Sequence, residues 1–150
     1  MSIIPINREV WFGSFWYELE NDLGEFKEIE VRWTLTIDVN DGTFKGERID
    51  EETKDLFGTE VSVDGFKDTD EISFVVKYPF NYYSDDVTGE LIPLRDEPHP
   101  GAKYHGTWNP IEKKYEGRWT VDLFEEPIGE FQTDTIVSSI EGDWEMKRKN

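Results

Sequence analysis

Residues 103 to 121 read KYHGTWNPIEKKYEGRWTV and carry one pattern twice, Tyr104-x-Gly106-x-Trp108 and Tyr115-x-Gly117-x-Trp119. Alternate residues of a β-strand share a face, so in each copy two rings and a glycine fall on one side. Lys103, His105 and Thr107 take the other side of the first copy, and Lys114, Glu116, Arg118 and Thr120 the other side of the second. The face with the rings is the one to bury. A glycine between two bulky rings permits the sharp coiling that a small barrel requires and leaves room for a side chain crossing from the opposite wall. Large beside small is how narrow barrel interiors fill.

The same device recurs as Phe44-x-Gly46, as Gly13 beside Phe15, and as Gly142-x-Trp144-x-Met146. Bends in many strands argue for a closed sheet, which also removes sticky edges. In EIEVRWTLTIDV, residues 28–39, Ile29, Val31, Trp33, Leu35, Ile37 and Val39 alternate with polar residues, the pattern of an antiparallel strand with one wet face. Asn40-Asp41-Gly42 then predicts a tight turn into TFKGERI and hence a hairpin. Phe57, Thr59, Val61 and Val63 continue the alternation, with Asp64-Gly65 read as a turn, and Ile72, Phe74, Val76, Tyr78 and Phe80 form the apolar face of the next strand. WFGSFWYEL, residues 11–19, reads as a first strand and EGDWEMKRK, residues 141–149, as a last one. Residues 79–102 break the rhythm with Pro79, Pro93, Pro98 and Pro100 and predict a long loop, while residues 125–139 suggest a short strand around Gly129 to Asp134. The expected fold is all-β: one domain over residues 1–150, an antiparallel up-and-down barrel of about eight to ten strands.

Composition narrows the function classes. At 150 residues one domain is expected, with a full core, and the 15% aromatic content in ordered alternation argues against disorder despite 33% charged residues. The formal charge of -18 repels phosphate backbones and anionic headgroups, so neither nucleic acid nor a membrane is expected as a partner. There are no cysteines, which excludes disulfides, thiolate metal sites and cysteine nucleophiles. The start MSIIPINREV lacks a cationic segment followed by a long apolar one, and the expected location is the cytoplasm.

Several segments carry a family resemblance. Phe44-Lys45-Gly46 leading to Asp50, Phe57-Gly58 through Val61 to Gly65, Phe74-x-x-Lys77-Tyr78, Tyr104-x-Gly106 and Tyr115-x-Gly117-x-Trp119 together resemble small lipocalin-like barrels of the calycin type, over most of the chain from about residue 11 onward. The first strand departs from the lipocalin Gly-x-Trp, offering Phe12-Gly13-Ser14-Phe15-Trp16 instead. The resemblance implies a role in binding small, often apolar molecules in the barrel mouth, with no particular ligand.

Arg48 lies on the inward face with Phe44 and Gly46, near one barrel end, where it would either clamp a ligand carboxylate or form a rim ion pair with Asp50. Trp33, Tyr104, Trp108, Tyr115 and Trp119 would either line a pocket with Arg48 or simply pack the core. The stretch YPFNYYSDD would gate the mouth or cap the core with its rings. His99 stands in a stiff, exposed Pro-flanked loop and His105 on the outer face, so no metal site is expected. No nucleophile elbow, phosphate loop or His-Glu-x-x-His is present, and no cofactor or catalytic residue is expected. The leading expectation is a non-catalytic protein that holds a small apolar or aromatic ligand. The alternative is an acidic interaction or inhibitory module with a filled barrel that docks on a basic protein, and an enzyme would need an interior carboxylate or histidine with a shifted pKa.

Overall fold

In the computed structural model, the described residues are 6–18, 24–58, 60–85, 87–88, 90–127 and 135–149. The elements are β1 (Ile6–Glu18), β2 (Phe26–Asp38), β3 (Thr43–Asp50), the single helical turn α1 (Lys54–Phe57), β4 (Val61–Lys67), β5 (Glu71–Lys77), β6 (Asn81–Ser84), β7 (Leu91–Leu94), β8 (Ala102–Asn109), β9 (Lys114–Pro127) and β10 (Thr135–Arg148). Eight strands close antiparallel in chain order, from β1 through β5 to β8, β9, β10 and back to β1, while β6 and β7 pair only with each other. The expected up-and-down barrel is what forms, consistent with the calycin-like architecture that the resemblance implies. Strand direction separates two ends. The lower end carries the β2–β3, β4–β5 and β8–β9 turns, and the upper end carries α1 and the β6–β7 hairpin.

The repeated glycines and tryptophans explain one another across β9 and β10. Antiparallel register sets Gly117 opposite Trp144 and Trp119 opposite Gly142, so each indole lies over the glycine of its neighbour. The Trp144 Nε1–H donates to the carbonyls of His105 and Arg118 at 3.1 Å, and that of Trp119 to the carbonyls of Trp16 and Asp143, also at 3.1 Å. A Cβ at Gly106 would stand 2.7 Å from the Trp144 ring, and one at Gly142 2.8 Å from Trp119 Nε1, so any side chain there displaces a buried indole. Phe74, Trp33, Trp144, Met146, Val63 and Leu35 fill the middle of the barrel. Ring centroids lie 6.3 Å apart for Phe74–Trp33, 5.3 Å for Phe74–Trp144 and 4.8 Å for Phe74–Tyr104.

Three local expectations are corrected. Asp64-Gly65 is not a turn but the middle of β4, where a Cβ on Gly65 would meet Phe74 Cβ at 2.5 Å and Phe44 Cζ at 2.8 Å. The turn comes at Asp68, whose carboxylate accepts the backbone N–H groups of Asp70 and Glu71 at 2.8 Å. Phe57 belongs to α1 and not to a strand. The Asp50 carboxylate takes the Thr53 N–H at 2.7 Å and hydroxyl at 2.9 Å at the start of that turn, and Gly58 ends it at φ 65°. The segment read as a loop at residues 79–102 contains the β6–β7 hairpin, with Pro93 of β7 opposite Tyr82. The short strand anticipated around Gly129 to Asp134 lies outside the described residues.

Candidate functional site

Arg48 stands on β3 opposite Trp33 of β2 and Val61 of β4, two residues from the end of its strand. Both Arg48 and Asp50 point into the barrel, 1% and 2% exposed. Their ion pair is therefore buried, at 3.3 Å, and not at the rim. The guanidinium also donates to the hydroxyl of Tyr104 at 2.7 Å and that of Tyr78 at 2.6 Å. Its carbon lies 5.1 Å from the ring centres of Phe15 and Tyr104 and 5.8 Å from that of Tyr78, a cage of π-faces around a desolvated cation. Burial opposes the charge, but the oxygens of Tyr104, Tyr78 and Asp50 outweigh it and hold the guanidinium protonated above its ordinary value. Burial in turn pushes the hydroxyls of Tyr78 and Tyr104 upward against the pull of Arg48, so both remain neutral phenols.

Above this pair sits an aromatic cap. Phe57 packs on Tyr78, Phe80 and Tyr82 at 5.3, 4.9 and 5.8 Å between centroids, and His99 packs on Tyr78 at 4.6 Å and Tyr82 at 5.8 Å. His99 is accordingly half-buried, although Glu97, Pro98 and Pro100 around it are exposed as expected. Its Nδ1 accepts the Gly101 N–H at 2.9 Å, and burial with the nearby Arg48 charge lowers its pKa to about 4. On the β1 side the Tyr17 hydroxyl donates to Glu52 at 2.5 Å, with Lys27 3.8 Å from the same carboxylate. Burial raises both Tyr17 and Glu52 above their ordinary values. The β6–β7 hairpin joins the barrel by no strand pairing among the described residues. Rings, and the connections at its two ends, hold it over the mouth.

The six residues expected to line a pocket divide between the two ends. Arg48, Tyr104 and Trp119 form a chain at the upper end, the two rings stacked 6.3 Å apart. Trp33 lies beside Arg48 and reaches the middle of the barrel, 6.2 Å from Trp144. Tyr115 is at the lower end, where its hydroxyl donates to the Asp68 carbonyl at 2.7 Å, and half-buried Trp108 packs on it at 4.9 Å. Trp108 and Tyr115 therefore close the floor and do not share a pocket with Arg48. Tyr82 belongs to the stretch YPFNYYSDD expected at the mouth, whereas the residues not anticipated at the site are Phe15, Tyr17, Glu52, Phe57 and His99. Of these only Phe15 stood on a readable inward face. The others lie in connections or at a strand end, where period two carries no information.

The cation of this end is already matched by Asp50 at 3.3 Å. Among the described residues two buried side-chain polar atoms lack a partner, Trp33 Nε1 and Arg48 Nε. Among the described residues no three His, Asp or Glu side chains converge as metal ligands. Ser73 Oγ and His105 Nδ1 meet at 2.7 Å, but on the exposed outer wall, where a shallow hollow runs between Phe66, Val75, Lys103 and Arg118. Comparison with protein families, with curated proteins and with solved structures finds no match to this chain.

Proposed function

We propose that the chain is a cytoplasmic, lipocalin-like binding protein without covalent chemistry, which holds a small apolar or aromatic molecule at the upper end of its barrel. The observation that carries this reading is the construction of that end. A buried, ring-caged guanidinium lies under Phe57, Tyr82 and His99, and the hairpin that covers it is fastened by ring contacts and not by the sheet. Ring contacts of this kind are worth about 0.5–1.5 kcal/mol each beyond area burial, so a guest offering equivalent surface displaces them at small net cost. A screen of small aromatic compounds read by tryptophan fluorescence and native mass spectrometry tests the proposal. Stoichiometric binding abolished by Arg48→Met but kept by Trp108→Phe is expected. Binding that depends on Trp108 and ignores Arg48 overturns it.

A second reading has its own support. Phe74, with Trp33, Phe44, Tyr104 and Trp144 around it, fills the barrel below Arg48, and a filled barrel with a charge of -18 suits an acidic module that docks on a basic protein. Its mark is capture of a basic protein that weakens steeply between about 50 and 200 mM salt and survives Tyr82→Ala.

A further inference from the structure

Trp33 and Arg48 are direct cross-strand partners on β2 and β3, and both are inward and buried, at 0% and 1% exposure. The two orphan donors of the described residues therefore belong to residues paired across β2 and β3. Elsewhere in the barrel the chain supplies acceptors with care. Trp11 Nε1 donates to Glu9 at 3.0 Å, and the indoles of Trp119 and Trp144 each meet backbone carbonyls. Buried donors are satisfied in the great majority of cases, and leaving one unpaired costs about 1–3 kcal/mol. Two such donors on one cross-strand pair, beneath a removable cap, mark a place for an acceptor that the chain does not itself provide.

Both orphans are N–H groups, so the guest group must accept and need not donate. Charge then decides between an anion and a neutral oxygen. The Arg48 cation already faces the Asp50 carboxylate at 3.3 Å, with Glu52 beside them and Lys27 turned to Glu52 at 3.8 Å. Tyr17, Tyr78, Tyr82 and Tyr104 face the site as neutral phenols, and His99 as a neutral imidazole at pH 7. A ligand carboxylate would add a further anion to a cation already matched, against the field of a molecule with net charge -18. A hydrocarbon would leave both donors unpaired. Resting on the binding role proposed above, we infer that Trp33 Nε1 and Arg48 Nε recognise the uncharged carbonyl oxygen of a flat aromatic ligand, whose ring system takes the place of cap rings between Phe57, Tyr82 and His99. Only the oxygen has to reach the depth of Trp33.

Three compounds with one ring system test this: 2-acetylnaphthalene, 2-naphthoate and 2-ethylnaphthalene, titrated into the intact chain at pH 7.5. The neutral ketone should bind at least about tenfold tighter than either of the others, the discrimination one pair of buried donors supplies. In the wild-type protein the Trp33 indole proton should move downfield with the ketone alone, a readout that requires no variant to fold. Trp33→Phe should narrow the gap between the ketone and the hydrocarbon, with Arg48 Nε the one donor left to the ketone. If the naphthoate binds tightest, or all three bind equally, the inference falls and the binding role stands. If none binds and the Trp33 proton stays fixed, both fall. A Trp33 indole proton in contact with a long-lived water, unchanged by the ketone, also overturns the inference.

Discussion

The two ends of the barrel solve the problem of closure differently. At the lower end the chain reverses within residues 39–42, 68–70 and 110–113, and side chains in and beside these turns satisfy the backbone. Asp38 accepts from the Asn40 N–H at 2.9 Å, Asp41 from Thr43 at 2.9 Å, and Asn109 from Ile111 and Glu112 at 3.0 and 3.1 Å. Its one buried acid among the described residues, Glu9, accepts hydrogen bonds from Asn7 and Trp11 and pairs with Arg148 at 3.4 Å. The upper end spends long connections on rings and places a desolvated ion pair and two orphan donors beneath them. Apart from Lys113 at φ 56°, the lower-end turns follow local rules, whereas the upper end leaves two buried donors unpaired at one spot. Such breaks cost stability and persist where a structure serves something besides folding.

The largest effect expected on this contrast comes from the buried acids. Asp50→Ala strands the Arg48 cation in a closed interior and removes both acceptors at the start of α1, for a loss of about 3–5 kcal/mol in urea unfolding. Glu9→Ala should lose about 1–2 kcal/mol, because its cationic partner Arg148 is 51% exposed and turns to solvent. Equal losses would remove the distinction between a buried charge and a bonded rim residue.

Next are the indoles. Trp144→Phe and Trp33→Phe each shrink a fully buried ring, but only the first breaks hydrogen bonds, those to the carbonyls of His105 and Arg118. Trp144→Phe should therefore be the more destabilising by about 1–2 kcal/mol without ligand, and Trp33→Phe should lose only its packing. A reversed order in thermal or urea unfolding would mean that Trp33 Nε1 has an acceptor in the free protein.

Much of the lower two thirds was legible in the sequence, because alternation fixes which residues face inward once a strand is recognised. Gly117-x-Trp119 against Gly142-x-Trp144 is a reciprocal pattern, and antiparallel pairing turns it into the crossed indoles observed. Gly65 carried the same message as the other ring-flanking glycines, and the neighbouring aspartate made it look like a turn. The spacing of Arg48 and Asp50 placed both on the inner face, yet spacing does not report depth, and burial of the pair depends on Tyr104 of β8 and on Tyr78 just past the end of β5. That the rings of YPFNYYSDD sit at the mouth is legible, but their contacts are not, because periodicity ends at Pro79. Nothing in the sequence of residues 51–58 or 78–101 says which rings meet, since long-range packing alone decides it.

Acid should strike the upper end first. The folded pKa of His99 is about 4, below the ordinary value near 6.5, so from pH 6.5 down to 4 the unfolded chain takes up a proton that the folded chain refuses. Stability from the neutral imidazole is complete above pH 6.5 and is lost across that window. The loss is about 1–2 kcal/mol once solvent screening at a half-exposed ring is allowed for. Buried Glu52, shifted upward, acts in the opposite sense, and it cancels when wild type is compared with His99→Gln. Lower-end Asp41 and Asp68 are held below their usual values, chiefly by the Thr43 side chain and the Glu71 N–H respectively, and so keep their bonds through the same window. Hydrogen exchange at pH 5 should therefore rise in residues 54–58 and 78–101 before it rises in the lower turns. Simultaneous loss at both ends would break the contrast.

The smallest effect expected compares one residue type in two places. Arg118, on the outer wall, reaches Asp143 at 2.8 Å and Glu141 at 3.2 Å, closer than Arg48 stands to Asp50. Distance alone would rank the outer pair as the stronger. Its side chains are 55% to 63% exposed, however, so water supplies most of what the partners do, and salt screens the rest. Arg118→Ala should cost no more than about 0.5 kcal/mol at low salt, largely through added repulsion in a molecule of charge -18, and nothing measurable at 1 M salt. Arg48→Met, with a longer ion-pair distance, should cost several times as much, because Asp50 is then a buried anion whose hydrogen-bond partners are Tyr78 and Thr53. If the wall variant were the costlier, the stability of the barrel would rest on its acidic surface and not on how the interior of the upper end is built.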